Sequence, residues 1–307
     1  MSFPYKKGFI KKASYYLDNL KDDQILSKHI SSVTNDKYVF PIQFVSQESV
    51  YDTINTVTDL FTEPARMKAS VYGYVSPIHF WETKEKEIRK YAKKEFGKED
   101  AFALRESIYF MTKEATAFSP SISKMLYQII LPKEGGTVFD PFSGWGDRAL
   151  GAICSSRVLK YTGVDCNPEL KEGYQEITDL SEGKVQFYNC SITEFEIKEK
   201  YDLIFTSPPF WDYETYNPFD QKQSINGIKS YKDWMTNFME PVLLKLKTAM
   251  KGFLALYMGE TYRTKDMPER IIKFLQKNGV EIIHRIDCSV GNRRPVPIYI
   301  FQLSPSK

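Results

Sequence analysis

From about residue 117 the chain alternates short apolar runs with stretches of helical period. The apolar runs are Thr137–Phe139, Tyr161–Val164, Lys184–Tyr188, Tyr201–Phe205, Gly252–Tyr257, Glu281–Ile286 and Pro297–Leu303. Each is short and bounded by polar or turn residues, the signature of a buried strand. Between the earlier runs lie helix-like segments at Asp147–Ser155, Pro168–Leu180 and Trp234–Met250. This alternation of seven apolar runs with helices predicts an α/β fold with a largely parallel sheet and helices on both faces. The last two runs are joined only by Cys288–Val296, which predicts an antiparallel hairpin at the sheet's end. The first 115 or so residues break the rhythm. Lys84–Phe96 reads as a charged helix, and Ala65–Phe80, with Gly73 and Pro77 among aromatics, as loop or short strands. A boundary near residue 112 divides an N-terminal accessory region, 1–112, from a larger domain, 113–307.

Composition narrows the picture. The 307 residues are 42% hydrophobic and 26% charged, ordinary values for a chain that buries a full core. Aromatic residues reach 15%, with 20 Tyr and 21 Phe, enough to fill a core and leave rings for stacking on bases. Net charge is only +3, which excludes no partner, because patches rather than totals bind phosphate. The clusters Lys6-Lys7, Lys11-Lys12 and Lys84 to Lys94 read first as solvated surface. Cys154, Cys166, Cys190 and Cys288 form no CxxC pair, and His29, His79 and His284 lie far apart, so no metal site is expected. Free thiols, no membrane span and no signal-peptide pattern together predict a cytoplasmic protein.

Two motifs carry chemistry. The first, Val138-Phe139-Asp140-Pro141-Phe142-Ser143-Gly144-Trp145-Gly146, follows a strand and opens a helix. Gly144 and Gly146 permit a sharp turn and close approach to a ligand, at the carboxyl end of a strand, where open α/β sheets bind cofactors. Asp140 can accept a hydrogen bond from an ammonium group. Asp165, ending the next strand 19 residues after Gly146, stands where a carboxylate accepts ribose hydroxyls. A dinucleotide site is the competing reading. It lacks the third glycine, and Asp140 would sit badly beside a pyrophosphate. The second motif, Thr206-Ser207-Pro208-Pro209-Phe210, follows the fourth strand of the series. Two prolines stiffen the turn and carry no N–H. The Ser207 hydroxyl and the Pro208 carbonyl then make acceptors for an amine, and Phe210 offers a ring face. A rigid loop with a packed phenylalanine is the plainer alternative.

Taken together, Asp140-Pro-Phe-Ser-Gly-Trp-Gly and Thr206-Ser-Pro-Pro-Phe resemble the amino-methyltransferase family of DNA modification enzymes, whose cofactor loop reads DPFxGxG and whose catalytic motif reads (D/N/S)PP(Y/F). The resemblance covers roughly residues 117–303. It implies a Rossmann-like, seven-stranded methyltransferase sheet, S-adenosylmethionine as cofactor, a methyltransferase domain over 113–307, and methyl transfer to an exocyclic base amine by direct in-line attack. Ser207 in the first position resembles the cytosine-N4 subset; Asp or Asn is more usual in adenine-N6 enzymes. The family's roles fall here on Ser207, Pro208, Pro209 and Phe210 for catalysis. For the cofactor they fall on Asp140, Phe142, Gly144, Gly146, Asp165 and Cys166. Ala117-Phe118-Ser119-Pro120-Ser121 resembles the segment that closes over the methionine end, with Phe118 and Ser119 in contact; an N-cap is the alternative there. Many relatives carry an acid after the third strand, where this chain reads Asn189-Cys190-Ser191, so the adenine contact falls to Asn189 and Cys190.

For the substrate, the long loop after the second motif offers Trp211, Tyr213 and Tyr216 to cover a flipped base. Arg293 and Arg294 offer a phosphate clamp, or a solvated hairpin tip. Region 1–112 could supply target recognition. The expected partner is nucleic acid, DNA before RNA, with no membrane; a partner nuclease, as in restriction-modification, and a homodimer stay open. Weighed against this is a catalytically silent nucleic-acid-binding subunit, which only the missing acid at Cys190 favours.

Overall fold

A computed structural model describes residues 2–21, 30–33, 42–47, 57–71, 73–217, 222–290 and 295–305. Its strands are β1 (Ile30–Val33), β2 (Ile42–Gln47), β3 (Ser70–Val71), β4 (Gly136–Asp140), β5 (Val158–Asp165), β6 (Val185–Asn189), β7 (Tyr201–Thr206), β8 (Glu214–Thr215), β9 (Met250–Tyr257), β10 (Val280–Val290) and β11 (Val296–Leu303). The helices are α1 (Ala13–Lys21), α2 (Asp59–Lys68), α3 (Pro77–Phe96), α4 (Ala101–Met111), α5 (Pro120–Ile130), α6 (Asp147–Ile153), α7 (Lys171–Leu180), α8 (Tyr231–Trp234), α9 (Glu240–Ala249) and α10 (Met267–Lys277). A π-helical turn, Met235–Met239, joins α8 to α9.

All seven anticipated strands form, as β4 to β7 and β9 to β11. The sheet order is β1-β2-β10-β11-β9-β7-β4-β5-β6. β6, β5, β4, β7 and β9 run parallel, while β11 is antiparallel to both its neighbours, β9 and β10. This is the Rossmann-like α/β sheet with a terminal hairpin. Its apolar runs are continuous rather than alternating because both faces are covered. Along β4 and β7, Val138 and Leu203 enter one core with Leu126 and Tyr127 of α5, while Phe139 and Ile204 enter the opposite core with Trp234 and Leu243. Successive side chains of a strand point to opposite faces, so two layers of helix are needed to bury them.

The accessory region adds two strands that its sequence did not announce. β2 pairs parallel with β10, and β1 pairs antiparallel with β2, so among the described residues the sheet has nine strands. The stretch Ala65–Phe80 differs from its loop-or-strand expectation as well. It holds the end of α2, the two-residue β3 and the start of α3. Pro64 lies inside α2, where tertiary burial of Leu60, Ala65 and Met67 overrides the proline's cost. Pro77 opens α3, whose N-cap Ser76 accepts the His79 N–H.

Elements on the two sides of residue 112 share cores. Tyr16, Leu17 and Leu20 of α1 join the Leu126 and Val138 core, and Ala65 and Ala69 pack with Trp145, Leu170 and Tyr174. A buried ionic network spans the same junction. Arg105 Nε donates to Glu63 Oε1 at 2.8 Å, and its two other nitrogens bind Glu114. Arg66 bridges Asp59, at 2.9 Å from Nε, and Glu114, at 2.9 Å from Nη1, and Lys6 Nζ closes the set on Asp59 at 2.9 Å. Three cations and three carboxylates therefore offset one another. Burial opposes the charge on Arg66, but Asp59 and Glu114 outweigh it and raise its pKa.

Candidate functional site

β4 is where the strand order reverses, with β5 on one side and β7 on the other. Ligands of open α/β sheets bind at the carboxyl end of such a switch point. There the first motif turns from β4 into α6. Gly144 has φ +54° and Gly146 φ +94°, values that favour glycine. The turn is braced from three sides. Gly144 N–H donates to Asp165 Oδ2 at 2.9 Å, the Tyr174 hydroxyl donates to the Gly144 carbonyl at 2.6 Å, and Ser143 N–H donates to the Val164 carbonyl at 2.9 Å. Beside Gly144 there is room. A Cβ there would meet nothing nearer than the Phe142 carbonyl at 3.9 Å and Arg148 Nη2 at 4.0 Å.

Asp165 ends β5 and lines this space. Its other oxygen accepts the Asn167 N–H at 3.0 Å. Burial pushes its pKa up to about 6, partly offset by the Asn167 and Gly144 N–H groups and reinforced by the charge of Asp140. The Asn189 side chain is exposed and braces this corner, donating to the carbonyls of Asp165 at 3.1 Å and Asn167 at 2.7 Å.

Asp140 is fully buried, away from the open space. Its carboxylate accepts Arg148 Nε at 2.6 Å, the Tyr161 hydroxyl at 2.6 Å and the Thr206 hydroxyl at 2.7 Å, with Phe142 N–H at 3.3 Å. One carboxylate thus ties together β4, β5, β7 and α6. Arg148 Nη2 also donates to the Phe142 carbonyl. Arg148 Nη1 makes no hydrogen bond with a described residue, and Arg148 lines the cleft, its guanidinium 5.5 Å from the Phe118 ring. Burial opposes the charge on Arg148, but Asp140 raises its pKa. Next to it, Asp147 accepts Phe118 N–H at 3.2 Å and the Thr58 hydroxyl, and burial lifts its pKa to about 6.

The second motif leaves β7 beside this network, since Thr206 is both its first residue and a donor to Asp140. Ser207, Pro209 and Phe210 line the cleft, and Pro208 is buried. Neither the Ser207 hydroxyl nor the Pro208 carbonyl is engaged by a described residue. Trp211 has φ +54° and sets its ring against Tyr231 and Trp234. The chain then folds back over the first motif. β8 pairs with β3, Glu214 Oε1 accepts Thr116 N–H at 3.1 Å, and the Tyr216 ring stands edge-on to Trp145 with centroids 5.8 Å apart.

The result is one cleft of about 1970 Å³. Of the residues singled out for the cofactor, Phe118, Ser119, Phe142, Gly144, Asp165 and Cys166 line it. Trp211, Tyr213 and Tyr216 line it as well. Asp140, Gly146, Asn189 and Cys190 do not, and Arg293 and Arg294 lie outside the described residues. Ser119 takes the N-cap position of α5, though its side chain makes no capping hydrogen bond. None of the four cysteines is in a disulfide. No described helix is long and apolar enough to cross a membrane. Arg148, Tyr161 and Thr206, the donors to Asp140, were not among the site residues expected from sequence. A signal for Arg148 existed, an Asp-Arg pair opening the otherwise apolar helix Ala-Leu-Gly-Ala-Ile.

No protein-family model matches the sequence, and no curated protein matches it. Solved structures offer distant likenesses. A methyltransferase from Pyrococcus furiosus is 17% identical, covering 73% of this chain and 98% of its own, with a TM-score of 0.46. A tRNA m1G37 methyltransferase from M. jannaschii is 14% identical over 60% of this chain and 49% of its own, with a TM-score of 0.40. A ribosomal protein L11 methylase from Lactobacillus delbrueckii subsp. bulgaricus is 14% identical over 59% and 77%, also with a TM-score of 0.40. As named, one acts on tRNA and another on a protein, and neither assigns a substrate to this chain.

Proposed function

We propose that this chain transfers a methyl group from S-adenosylmethionine to an exocyclic amino group of a nucleic-acid base, DNA cytosine N4 in the first instance, with adenine N6 and RNA bases as alternatives. One observation carries the reading. A glycine turn backed by a strand-end carboxylate and a Ser-Pro-Pro-Phe turn with a free hydroxyl open into one cleft at the switch point of the sheet.

When bound, S-adenosylmethionine supplies a methyl group activated by its sulfonium centre. The residues present suit it. Asp165, which lines the cleft, would accept ribose hydroxyls, and the open space beside Gly144 would admit a ligand against backbone. Arg148, with Nη1 unengaged, offers a charge-assisted donor for the methionine carboxylate, a role in which Asp140 acts through Arg148. Phe118, whose ring lies 5.5 Å from that guanidinium, would pack beside that end.

The base needs different help. Its amine is a weak nucleophile because the nitrogen lone pair is delocalised into the ring. Acceptance of the two N–H protons by the Ser207 hydroxyl and the Pro208 carbonyl favours a more tetrahedral nitrogen and releases the lone pair. The proline pair holds both acceptors rigidly, so little reorganisation is needed during attack. Phe210 and the aromatic loop after it take the place of the stacking that the base leaves behind. Proximity supplies much of the remaining acceleration.

Tritiated S-adenosylmethionine, incubated with separate pools of duplex DNA, single-stranded DNA and RNA, tests the reaction. Digestion of the product to nucleosides and mass identification should find N4-methylcytosine, N6-methyladenine or an RNA counterpart. Ser207→Ala should lower turnover roughly 10- to 100-fold, the loss of a hydrogen bond that strengthens in the transition state, while cofactor Kd stays within about twofold. Absence of label together with absence of cofactor binding would overturn the proposal in favour of a silent binding subunit.

A further inference from the structure

The mouth of the cleft carries an arc of exposed aromatic rings that the proposed chemistry does not use. Tyr262 is 65% exposed, Tyr74 49%, Tyr109 46% and Phe110 63%, and all four line the same cleft as Ser207 and Phe210. Contacts link several of the segments that carry these rings. The Arg263 guanidinium lies 5.8 Å from the Tyr262 ring and pairs with Asp212, next to Tyr213. Glu214 then pairs with Val71 across the small β3–β8 ladder, and Val71 accepts the Tyr74 N–H at 2.8 Å. Lys113 Nζ stands 5.9 Å from the Tyr74 ring, and Tyr109 and Phe110 precede it on α4 with ring centroids 5.7 Å apart.

Exposed aromatics gathered along one cleft mark an interaction surface. Among the described residues the arc is rich in rings and poor in unpaired cations. Lys113 is exposed, but Arg263 is already paired with Asp212, and Glu106 and Glu260 line the same cleft. Duplex DNA is held chiefly through phosphates by Lys and Arg, and its base faces are hidden in its own stack. Unpaired bases offer both faces, and each can stack on a ring regardless of sequence. We infer that the arc holds single-stranded or locally unpaired nucleic acid on either side of the target base, so that the substrate arrives with its bases already exposed. The choice of target base rests on the proposed methyl transfer; the strand-binding itself does not.

Fluorescence anisotropy of the full chain with labelled single-stranded DNA, single-stranded RNA and duplex DNA of one sequence tests this. Single strands should bind more tightly than the duplex. Tyr74→Ala, Phe110→Ala and Tyr262→Ala should each weaken single-strand binding about 5- to 150-fold, the effect of losing one stacked base. Phe110→Trp should restore it, and none of these exposed positions should change the melting temperature. The DNA and RNA arms identify the sugar, and a preference for either supports the arc. Equal affinity for duplex and single strands, or wild-type binding by all three alanine variants, would overturn the inference. Calorimetry with S-adenosylmethionine, run alongside, separates the two claims. Cofactor binding without a ring effect leaves the methyl-transfer reading standing alone, and ring-dependent strand binding without cofactor leaves only the arc.

Discussion

Replacing Asp140 with Ala separates two roles for one carboxylate. From sequence, Asp140 is a direct acceptor for the cofactor's ammonium group, and its loss would cost affinity and little else. In the structure it is sealed inside the protein, holding Arg148, Tyr161, Thr206 and the Phe142 N–H. Its removal leaves the Arg148 guanidinium, 5% exposed, without its counter-charge. Breaking one side of a buried ion pair costs about 3–5 kcal/mol. At about 2 °C per kcal/mol for a chain of this size, the melting temperature should fall by roughly 6–10 °C. Denaturant unfolding and a thermal scan measure that loss, and calorimetry with S-adenosylmethionine measures affinity on the same samples. Asp140→Asn, which keeps an acceptor for Tyr161 and Thr206 but removes the charge, should lie between wild type and Ala in stability. There is also a pH signature. Asp140 is one of the groups that raise the Asp165 pKa, so in Asp140→Ala the pH at which Asp165 titrates should move down. An Asp140→Ala protein with an unchanged unfolding midpoint and a lost affinity would refute the anchoring role and restore the direct contact.

Three further substitutions and one titration follow from the structure. Cofactor affinity should fall as pH drops through about 6, because Asp165 accepts ribose hydroxyls as a carboxylate; a flat Kd between pH 7 and pH 5 would rule out that contact. The stability effect has the opposite sense. Folding raises this pKa from 3.8 to about 6, so the folded state favours the proton. The contribution is fully present below the unfolded value and is lost as pH rises through about 6, and Asp165→Asn should flatten that part of the stability profile. Asp165→Ala should weaken cofactor binding far more than it slows turnover at saturation, and a normal dissociation constant would refute its role. Arg105→Met, which leaves Glu63 and Glu114 short of a buried partner, should cost about 3–5 kcal/mol in denaturant unfolding, whereas a midpoint unchanged from wild type would mean that the network contributes nothing net.

Much of the architecture was legible in the chain because strands buried on both faces must be apolar without interruption, and helices that cover them must keep their period. That is why Val138–Phe139 and Leu203–Ile204 stand out in sequence and emerge as neighbouring central strands. The two turns were legible for a local reason. Gly144 and Gly146 adopt positive φ, and Pro208-Pro209 stiffens its turn, so residue identity alone constrains the backbone there.

What the sequence determined by itself was therefore local: strand and helix periods, the glycine turn, the rigid Ser-Pro-Pro-Phe turn and their order along the chain. Tertiary structure alone decided which groups meet. Asp140 and Thr206 are 66 residues apart, and Arg105 and Glu63 are 42 apart, and no periodicity records such pairings. The same holds for β2 beside β10, and for Tyr74, Phe110 and Tyr262 along one cleft. A buried charge must find a partner wherever the fold supplies one, and an exposed ring gains neighbours only when distant segments close around it, so both are properties of the packed chain.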